Sequence, residues 1–245
     1  MSTVPHIRCR GLVKGFRDKA VLLGVNLEVE RGETLVILGG SGEGKSVLLK
    51  HMNGLFRPDG GSVEVDGISL GELDEQALSP IRRNVGMLFQ QGALFDSLTV
   101  GENIAYPLRE HHLLPPEKMP ARIAQALDMV GLAKTELVMP AELSGGMRKR
   151  AALARALVLE PKALLYDEPT TGLDPVVAAK INHLIRDLQK RLGLTSVVVT
   201  HDLGSAFFVA DRIAFLHDGR IRFVGTPDEA RASTDEHLHE FLTAA

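Results

Sequence analysis

The chain has 245 residues, a formal net charge of −3 at pH 7, and ordinary shares of hydrophobic and charged residues. This length is ample for one large domain with its own core, and the charge excludes a general electrostatic attraction to nucleic acid. The single cysteine, Cys9, excludes an internal disulfide. Because the sequence shows neither a signal-peptide pattern nor an apolar run near the ~20 residues of a membrane helix, we expect a soluble protein that reaches a membrane only through a partner.

The first part of the chain is predicted to be β structure. Three short apolar runs separated by turn residues predict strands at 6–13, 21–30 and 34–38. Two later strands, at 62–65 and 84–89, flank a weak helix at 72–81. From residue 101 to residue 160 the pattern becomes helical, with proline-punctuated helices at 102–111, 117–130 and 146–159.

An alternation of strands and helices resumes after Pro161. Strands are predicted at 163–167 and 195–200, each followed by a helix, at 175–191 and 203–210. A hairpin of strands at 212–217 and 220–224 is predicted around Asp218 and Gly219, because this dipeptide favours a type I′ turn between two apolar runs. Two short helices close the chain. The sequence therefore predicts an α/β fold that carries an inserted helical segment.

A glycine-rich loop lies between the predicted strand at 34–38 and a helix that begins near Lys45. It fits G-x-x-x-x-G-K-[ST], a loop whose glycines let successive N–H groups point at a phosphate while the helix dipole adds positive potential. We expect Lys45 to reach the β- and γ-phosphates of a nucleotide and Ser46 to ligate Mg²⁺; a plain glycine turn is the alternative. The nucleotide-binding residues predicted here are Gly39, Gly40, Ser41, Gly42, Glu43, Gly44, Lys45, Ser46 and Val47. Within this loop, the Glu43 side chain must point away from the nucleotide to avoid repelling it.

Two carboxylates follow the predicted strand at 163–167. Asp167 is suited to the ligand shell of magnesium, and Glu168 to polarising a water for attack on a phosphate. His201 follows the strand at 195–200, where it could contact a γ-phosphate or the attacking water. Polar residues at strand ends are commonly just exposed to solvent and have no function. We assign them a catalytic role only because a predicted phosphate-binding loop occurs in the same chain.

A second anion site is predicted where the helix at 146–159 begins. Ser144 is a good N-cap residue, and Gly145 and Gly146 expose backbone N–H groups; a simple capped helix start is the alternative.

Two other side chains, Phe16 and Gln90, each allow more than one interpretation. Phe16, in a predicted turn, could stack on a nucleotide base or pack in the core. Gln90 matters only if the preceding strand end faces the phosphates.

The order of these motifs resembles the ATP-binding subunit of ATP-binding-cassette (ABC) transporters over essentially the whole chain. The glycine-rich loop is similar to Walker A, residues 163–168 to Walker B, and residues 143–147 to the signature loop, with Met147 in place of the usual glutamine. By position, Gln90 resembles the Q-loop glutamine and His201 the switch histidine. Asp174 lies in a D-loop-like segment, and Phe16 matches an aromatic that stacks on the base, where tyrosine is commoner.

The resemblance implies a P-loop NTPase (ABC ATPase) fold in a single domain, 1–245. Residues 1–89 and 163–245 would form the nucleotide-binding core with an antiparallel β subdomain, and residues 90–162 the helical subdomain. The implied cofactors are ATP and Mg²⁺. The implied catalytic residues are Glu168, His201 and Gln90, and the implied metal ligands are Ser46, Gln90 and Asp167. In a head-to-tail homodimer, each ATP would lie between one phosphate loop and the partner's signature loop, so Ser144, Gly145, Gly146 and Asp174 count as nucleotide-binding residues.

Residues 85–110 and 143–151 look like the ATPases of MCE-type lipid transport, which include bacterial systems that maintain lipid asymmetry. This implies a cytoplasmic ATPase at the inner face of the membrane that drives phospholipid transport. Its partners would be a permease, an MCE protein and a small regulatory subunit, with no nucleic acid. The alternatives are an ABC ATPase for another solute and a non-transport cassette that acts as an assembly switch or scaffold.

An apolar stretch follows the predicted Q-loop. Its residues are Ala93, Leu94, Phe95, Leu98 and Val100. Because exposed apolar patches commonly mark partner sites, we expect this stretch to hold the permease. The alternative is that these side chains fill the joint between the core and the helical segment.

Overall fold

A computed structural model describes residues 4–17 and 19–244; residues 1–3, on which the signal-peptide expectation partly rests, lie outside this range. The strands are β1 (Ile7–Phe16), β2 (Lys19–Val29), β3 (Thr34–Leu38), β4 (Gly60–Val65), β5 (Ile68–Ser69), β6 (Val85–Leu88), β7 (Ala163–Asp167), β8 (Thr195–Thr200), β9 (Arg212–His217) and β10 (Arg220–Gly225). The helices are α1 (Lys45–His51), α2 (Glu75–Asn84), α3 (Val100–Glu110), α4 (Met119–Met129), α5 (Gly145–Leu157), α6 (Pro175–Leu192), α7 (Leu203–Val209), α8 (Pro227–Arg231) and α9 (Glu236–Ala244). The predicted mixed α/β architecture is confirmed.

A six-stranded sheet in the order β10-β9-β3-β8-β7-β6 forms the centre of the fold. Its strands are parallel except for β10, which pairs antiparallel with β9. Both faces of this sheet are buried: Val36 and Leu38 of β3 pack into one hydrophobic cluster, and Leu35 and Ile37 into another. A strand that is buried on both faces must be apolar at every position, which is why β3, β7 and β8 are almost uninterrupted apolar runs.

A four-stranded antiparallel sheet in the order β2-β1-β4-β5 contains the N-terminal part of the chain. Strand β1 is longer than its sequence predicts, because Gly15 stays in the ladder opposite Ala20 instead of ending it. Phe16 is consequently the last residue of β1, paired with Lys19, and does not lie in a turn as predicted. Helix α2 begins three residues later than predicted, where the Asp74 side chain accepts a hydrogen bond from the Ala77 N–H at 2.8 Å.

Helices α3, α4 and α5 lie between β6 and β7 in the chain and pack on the face of the sheet that carries Val36 and Leu38. A capping box begins α3: the Thr99 hydroxyl accepts from the Glu102 N–H, and the Glu102 carboxylate accepts from the Thr99 N–H. Val100, the first residue of α3, is fully buried. In the part of the chain that the structure covers, no helix has both the length and the hydropathy needed to cross a bilayer.

Candidate nucleotide site

Four parallel strands end side by side at one edge of the central sheet. The register pairs Leu38 of β3 with Thr200 of β8, Asp167 of β7 with Val199 of β8, and Leu88 of β6 with Tyr166 of β7. The residues that follow these strands therefore meet at one edge, the place where open α/β sheets bind ligands. In this way the fold gathers the glycine-rich loop, Glu168, His201 and Gln90 although they are far apart in the sequence.

The glycine-rich loop takes a conformation that side chains would block. Gly44, the residue before α1, has φ of 96°, and a Cβ atom there would lie 2.8 Å from Val21 Cγ1. A Cβ atom at Gly39 would overlap the carbonyl oxygen of Leu216. Lys45 is buried, and its Nζ donates hydrogen bonds of 2.9 Å to the carbonyl oxygens of Gly39 and Gly40. The lysine thus closes the loop into a compact ring.

Ser46 and Asp167 join the loop to the end of β7. The Ser46 hydroxyl donates a 2.6 Å hydrogen bond to the Asp167 carboxylate. A hydroxyl and a carboxylate side by side provide the oxygen ligands that Mg²⁺ prefers. This pair therefore fits the predicted magnesium ion, and Gln90 lines the cleft above it.

Glu168 is held by contacts to both of its carboxylate oxygens. Its Oε1 atom lies 3.0 Å from His201 Nδ1 and 3.7 Å from Lys45 Nζ, and its Oε2 atom accepts a 2.9 Å hydrogen bond from the Thr171 hydroxyl. Its backbone φ is 47°, a left-handed conformation that is uncommon for a residue other than glycine. The side chain is buried and constrained at the floor of a cleft.

The cleft has a volume of about 660 Å³. It is lined by Val21, Gly40, Ser41, Gly42, Gly44, Lys45, Ser46, Val47, Gln90, Glu168, His201 and Phe241. Sequence reasoning missed Val21 and Phe241, because neither belongs to a motif and only tertiary packing brings them here. Phe241 comes from α9 and packs on Phe215 of β9, with ring centroids 5.4 Å apart.

Glu43 turns its carboxylate away from the cleft, as its charge required. The carboxylate accepts a 2.7 Å hydrogen bond from the backbone N–H of Asp218, in the turn between β9 and β10. This turn has positive φ at both central residues, 48° at Asp218 and 66° at Gly219, which is the predicted type I′ geometry.

Seven predicted nucleotide-binding residues do not line this cleft: Phe16, Gly39, Glu43, Ser144, Gly145, Gly146 and Asp174. Phe16 packs edge-on against Phe56, with ring centroids 5.5 Å apart. Ser144 caps α5 by accepting from the Met147 N–H at 3.3 Å, and Asp174 caps α6 by accepting from the N–H groups of Val176 and Val177. Within one copy of the chain, the second anion site is therefore separate from the first.

Lys149 is a buried side chain whose position the sequence did not predict. It reaches from α5 to the segment after β7, where its Nζ donates to the carbonyl oxygens of Glu168 at 2.9 Å and Thr171 at 3.0 Å. Burial lowers the pKa of Lys149, and the nearby carboxylates of Glu168 and Asp167 partly offset that effect. The lysine ties the predicted signature helix to the backbone that positions Glu168.

Comparisons with known proteins show which family this chain resembles. Residues 22–171 match the family model described as ABC transporter. The chain is 42% identical over 236 residues to a probable ribonucleotide transport ATP-binding protein, mkl, from Mycobacterium leprae, covering 96% of this chain and 68% of that one. It is 39% identical over 225 residues to the intermembrane phospholipid transport system ATP-binding protein MlaF from Haemophilus influenzae, covering 92% and 85%. Among solved structures, a dimeric post-hydrolysis ATP-binding cassette bound to ADP and Pi matches with a TM-score of 0.83 and 35% identity, covering 90% of this chain and 98% of that one.

Proposed function

This chain belongs to the ABC transporter family as an ATP-binding domain, and from that premise we propose that it is a Mg²⁺-dependent ATPase that powers phospholipid transport through a membrane permease. The observation that carries the ATPase part is the contact of Glu168 with His201 and Lys45 at the floor of the cleft. A buried carboxylate between these groups is placed to act as a general base in water attack on a phosphate.

In the proposed reaction, Glu168 accepts the proton of a water as the water oxygen attacks the γ-phosphorus, and the bond to the β-phosphate oxygen breaks to release ADP. Lys45 turns from the carbonyl oxygens of Gly39 and Gly40 to the β- and γ-phosphates. His201, beside Glu168, would contact the γ-phosphate or the attacking water. Mg²⁺, held by Ser46, Asp167 and Gln90, would neutralise phosphate charge.

We propose a composite site between two copies of the chain. Because Ser144 and Gly145 do not line the cleft of their own chain, a second copy is needed to bring a signature loop to the nucleotide. The dimeric state of the similar solved cassette supports this arrangement. It also explains why one chain carries two anion sites.

The proposed permease site is an apolar groove of about 370 Å³ beside the Q-loop. Phe95 and Tyr106 line it, with 44% and 45% of their surface exposed and ring centroids 5.0 Å apart. The loop is rigid here, because the buried Asn103 side chain bonds to both backbone groups of Phe95 and Arg155 donates to the carbonyl oxygen of Ala93 at 2.8 Å. A firm apolar groove suits an inserted segment of a membrane partner.

Three of the predicted groove residues, Leu94, Leu98 and Val100, do not line this groove. Val100 is buried in the main core, which is a correction to the sequence prediction, and Leu94 packs against the same core from one side. Val100 turns inward because it is the first residue of α3, directly after the Thr99 cap. Ala93 and Phe95 remain at the groove, joined by Leu55, Tyr106 and Leu159, which lie outside the predicted stretch.

Phospholipid is the proposed cargo because the relative MlaF is named for phospholipid transport and the segments at 85–110 and 143–151 look like those of MCE-type ATPases. The relative mkl is named for ribonucleotide transport, so its name points to a different cargo. An MCE protein and a small regulatory subunit complete the proposed complex, with the ATPase on the cytoplasmic face of the membrane.

Native mass spectrometry of the complex purified from detergent-solubilised membranes tests this proposal. We expect two copies of the chain, a multi-span permease, an MCE protein and bound phospholipid. A permease that carries ribonucleotide and no lipid would replace the phospholipid proposal. Recovery of the chain without any membrane protein would contradict the transport proposal and favour the alternative of a non-transport scaffold.

A further inference from the structure

A second cluster of titratable side chains lies beside the phosphate loop, outside the cleft described above. It consists of Glu43 from the loop and His217 and Asp218 from the end of β9 and its turn, and one ligand atom from each lies within 4.8 Å of the others. The imidazole Nδ1 atom of His217 is 3.3 Å from Glu43 Oε1, and its Nε2 atom is 3.6 Å from Asp218 Oδ2. None of these residues is part of the proposed hydrolysis reaction.

Each nitrogen of the His217 ring thus faces a carboxylate. A neutral imidazole has only one N–H, so it satisfies one of these carboxylates and turns a lone pair toward the other. Among the residues that the structure describes, no Lys or Arg forms an ion pair with Glu43 or Asp218. The cluster therefore places two carboxylates around one imidazole, a donor set that suits a cation able to bind both carboxylate oxygen and imidazole nitrogen.

We propose that Glu43, His217 and Asp218 form a binding site for a divalent transition-metal ion of the zinc class. Zinc takes imidazole nitrogen and carboxylate oxygen ligands together, at distances that place neighbouring ligand atoms about 3–4 Å apart. One ring nitrogen of His217 binds the ion together with one oxygen from each carboxylate, since one ligand atom from each residue lies within 4.8 Å of the others. The nitrogen ligand distinguishes this site from the oxygen-only pair of Ser46 and Asp167.

The ligand side chains are already ordered. The His217 ring lies between Phe215, stacked at 5.9 Å with an interplanar angle of 5°, and His237 of α9, at 4.5 Å. Glu43 is held by the Asp218 N–H, and the type I′ turn fixes Asp218 itself. The three ligands are partly or largely exposed, so an ion can enter from solvent. A bound ion would link the phosphate loop, the β9–β10 turn and the face of α9 that carries His237.

Metal titration of the full chain tests the site without ATP and without any hydrolysis, so its outcome is independent of the proposed function. The protein is purified without a histidine tag and stripped of metal. Zn²⁺ binding is measured by calorimetry, and Co²⁺ is used as a spectroscopic probe of nitrogen and oxygen ligation. We expect one strong site per chain and a visible Co²⁺ absorption band, with affinity falling at least ~10-fold in His217→Gln, the loss typical when support of a metal site is removed.

Matched variants separate this site from other histidines and from the nucleotide cleft. Asp218→Asn, at an exposed turn position that asparagine also suits, should weaken zinc binding while circular dichroism shows an unchanged melting temperature. His239→Gln, an exposed histidine of α9 outside the cluster, and Asp167→Asn should leave zinc affinity unchanged. The proposal is overturned if the wild-type chain has no strong site, if His217→Gln and Asp218→Asn bind zinc as the wild type does, or if His239→Gln removes binding equally.

Discussion

The Oε1 atom of Glu168 lies 3.0 Å from His201 Nδ1, although helix α6 and strand β8 separate the two residues in the sequence. The contact exists because β7 and β8 are parallel neighbours whose ends lie level, with Asp167 opposite Val199. The Thr171 hydroxyl and Lys45 hold the same carboxylate from other directions. A base fixed in this way loses little entropy when a water and a phosphate arrive, which is the physical basis of the first prediction.

Replacing Glu168 by Gln removes the proposed base and keeps the size and most hydrogen bonds of the side chain. We expect ATP to bind with near wild-type affinity and to be hydrolysed at least ~100-fold more slowly, within the range for loss of a general base. The measurement is steady-state ATPase activity of the assembled complex beside equilibrium ATP binding. The variant should also accumulate as an ATP-bound dimer in size-exclusion chromatography. Nearly intact ATPase activity would show that another group is the base.

The composite site is tested by mixing two inactive subunits. Lys45→Ala damages the phosphate loop and Ser144→Arg blocks the signature loop, both in a Glu168→Gln background so that bound ATP is trapped. If the loops meet across the dimer, a heterodimer isolated with two different tags retains one intact site and should trap one ATP. Each homodimer should trap none. If the loops acted within one chain, the heterodimer would trap none as well.

The predicted stacking of Phe16 on the nucleotide base can be tested by comparing ligands with and without a base. The Phe16 ring is partly exposed and packs against Phe56, so part of the ring is accessible to a nucleotide base. We expect Phe16→Ala to weaken ATP binding about 5- to 10-fold, since aromatic-base stacking contributes roughly 1–3 kcal/mol. Binding of inorganic tripolyphosphate, which has no base, should not change, and Phe16→Tyr should bind ATP like the wild type. Equal losses for both ligands would mean that Phe16 only supports the fold.

Cys9 provides a pKa-based prediction about the folded state. Burial raises the pKa of its thiol to about 12, because a thiolate in the apolar core would be desolvated. Since the thiolate is the reactive form, alkylation at about pH 8 should be very slow in the native protein and fast in denaturant. Mass spectrometry of iodoacetamide-treated protein gives both rates. Rapid labelling under native conditions would contradict the burial of this residue.

The sequence predicts strands best where both of their faces are buried in the sheet. The strands at 34–38, 163–167, 195–200 and 212–217 were predicted with the bounds that the structure has, because their buried apolar runs stop abruptly at Gly, Asp, His or Arg. Phe16 was assigned to a turn because Gly15 resembles a break, yet its ladder with β2 continues. The sequence around Gly15 cannot show that β2 continues to pair with β1 across this glycine.

In the candidate site, too, some residues are predictable from local sequence and others are not. The loop, Glu168 and His201 could be predicted because motif spacing and strand ends are local features. Phe241 and Lys149 could not, since a phenylalanine in a terminal helix and a lysine in a basic run look like ordinary surface residues until packing places them. The same limit applies to Val100, which belongs to an apolar stretch by sequence but points inward once Thr99 caps α3.

The last prediction concerns the apolar groove that we propose for the permease. Phe95→Glu combined with Tyr106→Glu places two charges on side chains that are each nearly half exposed, so the isolated subunit should fold and bind ATP normally. Capture of the permease should be lost, because an inserted apolar segment would then desolvate two carboxylates. A detergent pull-down beside circular dichroism melting measures both properties.

Two control substitutions make the outcome of this test specific. Leu137→Glu changes a leucine that is 88% exposed and does not line the groove, and it should affect neither folding nor capture. Val100→Glu buries a charge in the main core and should lower the melting temperature by many degrees, since an unpaired buried charge costs several kcal/mol. If the double variant melts like Val100→Glu, its side chains belong to the core. If it instead captures the permease as Leu137→Glu does, the permease binds at another surface.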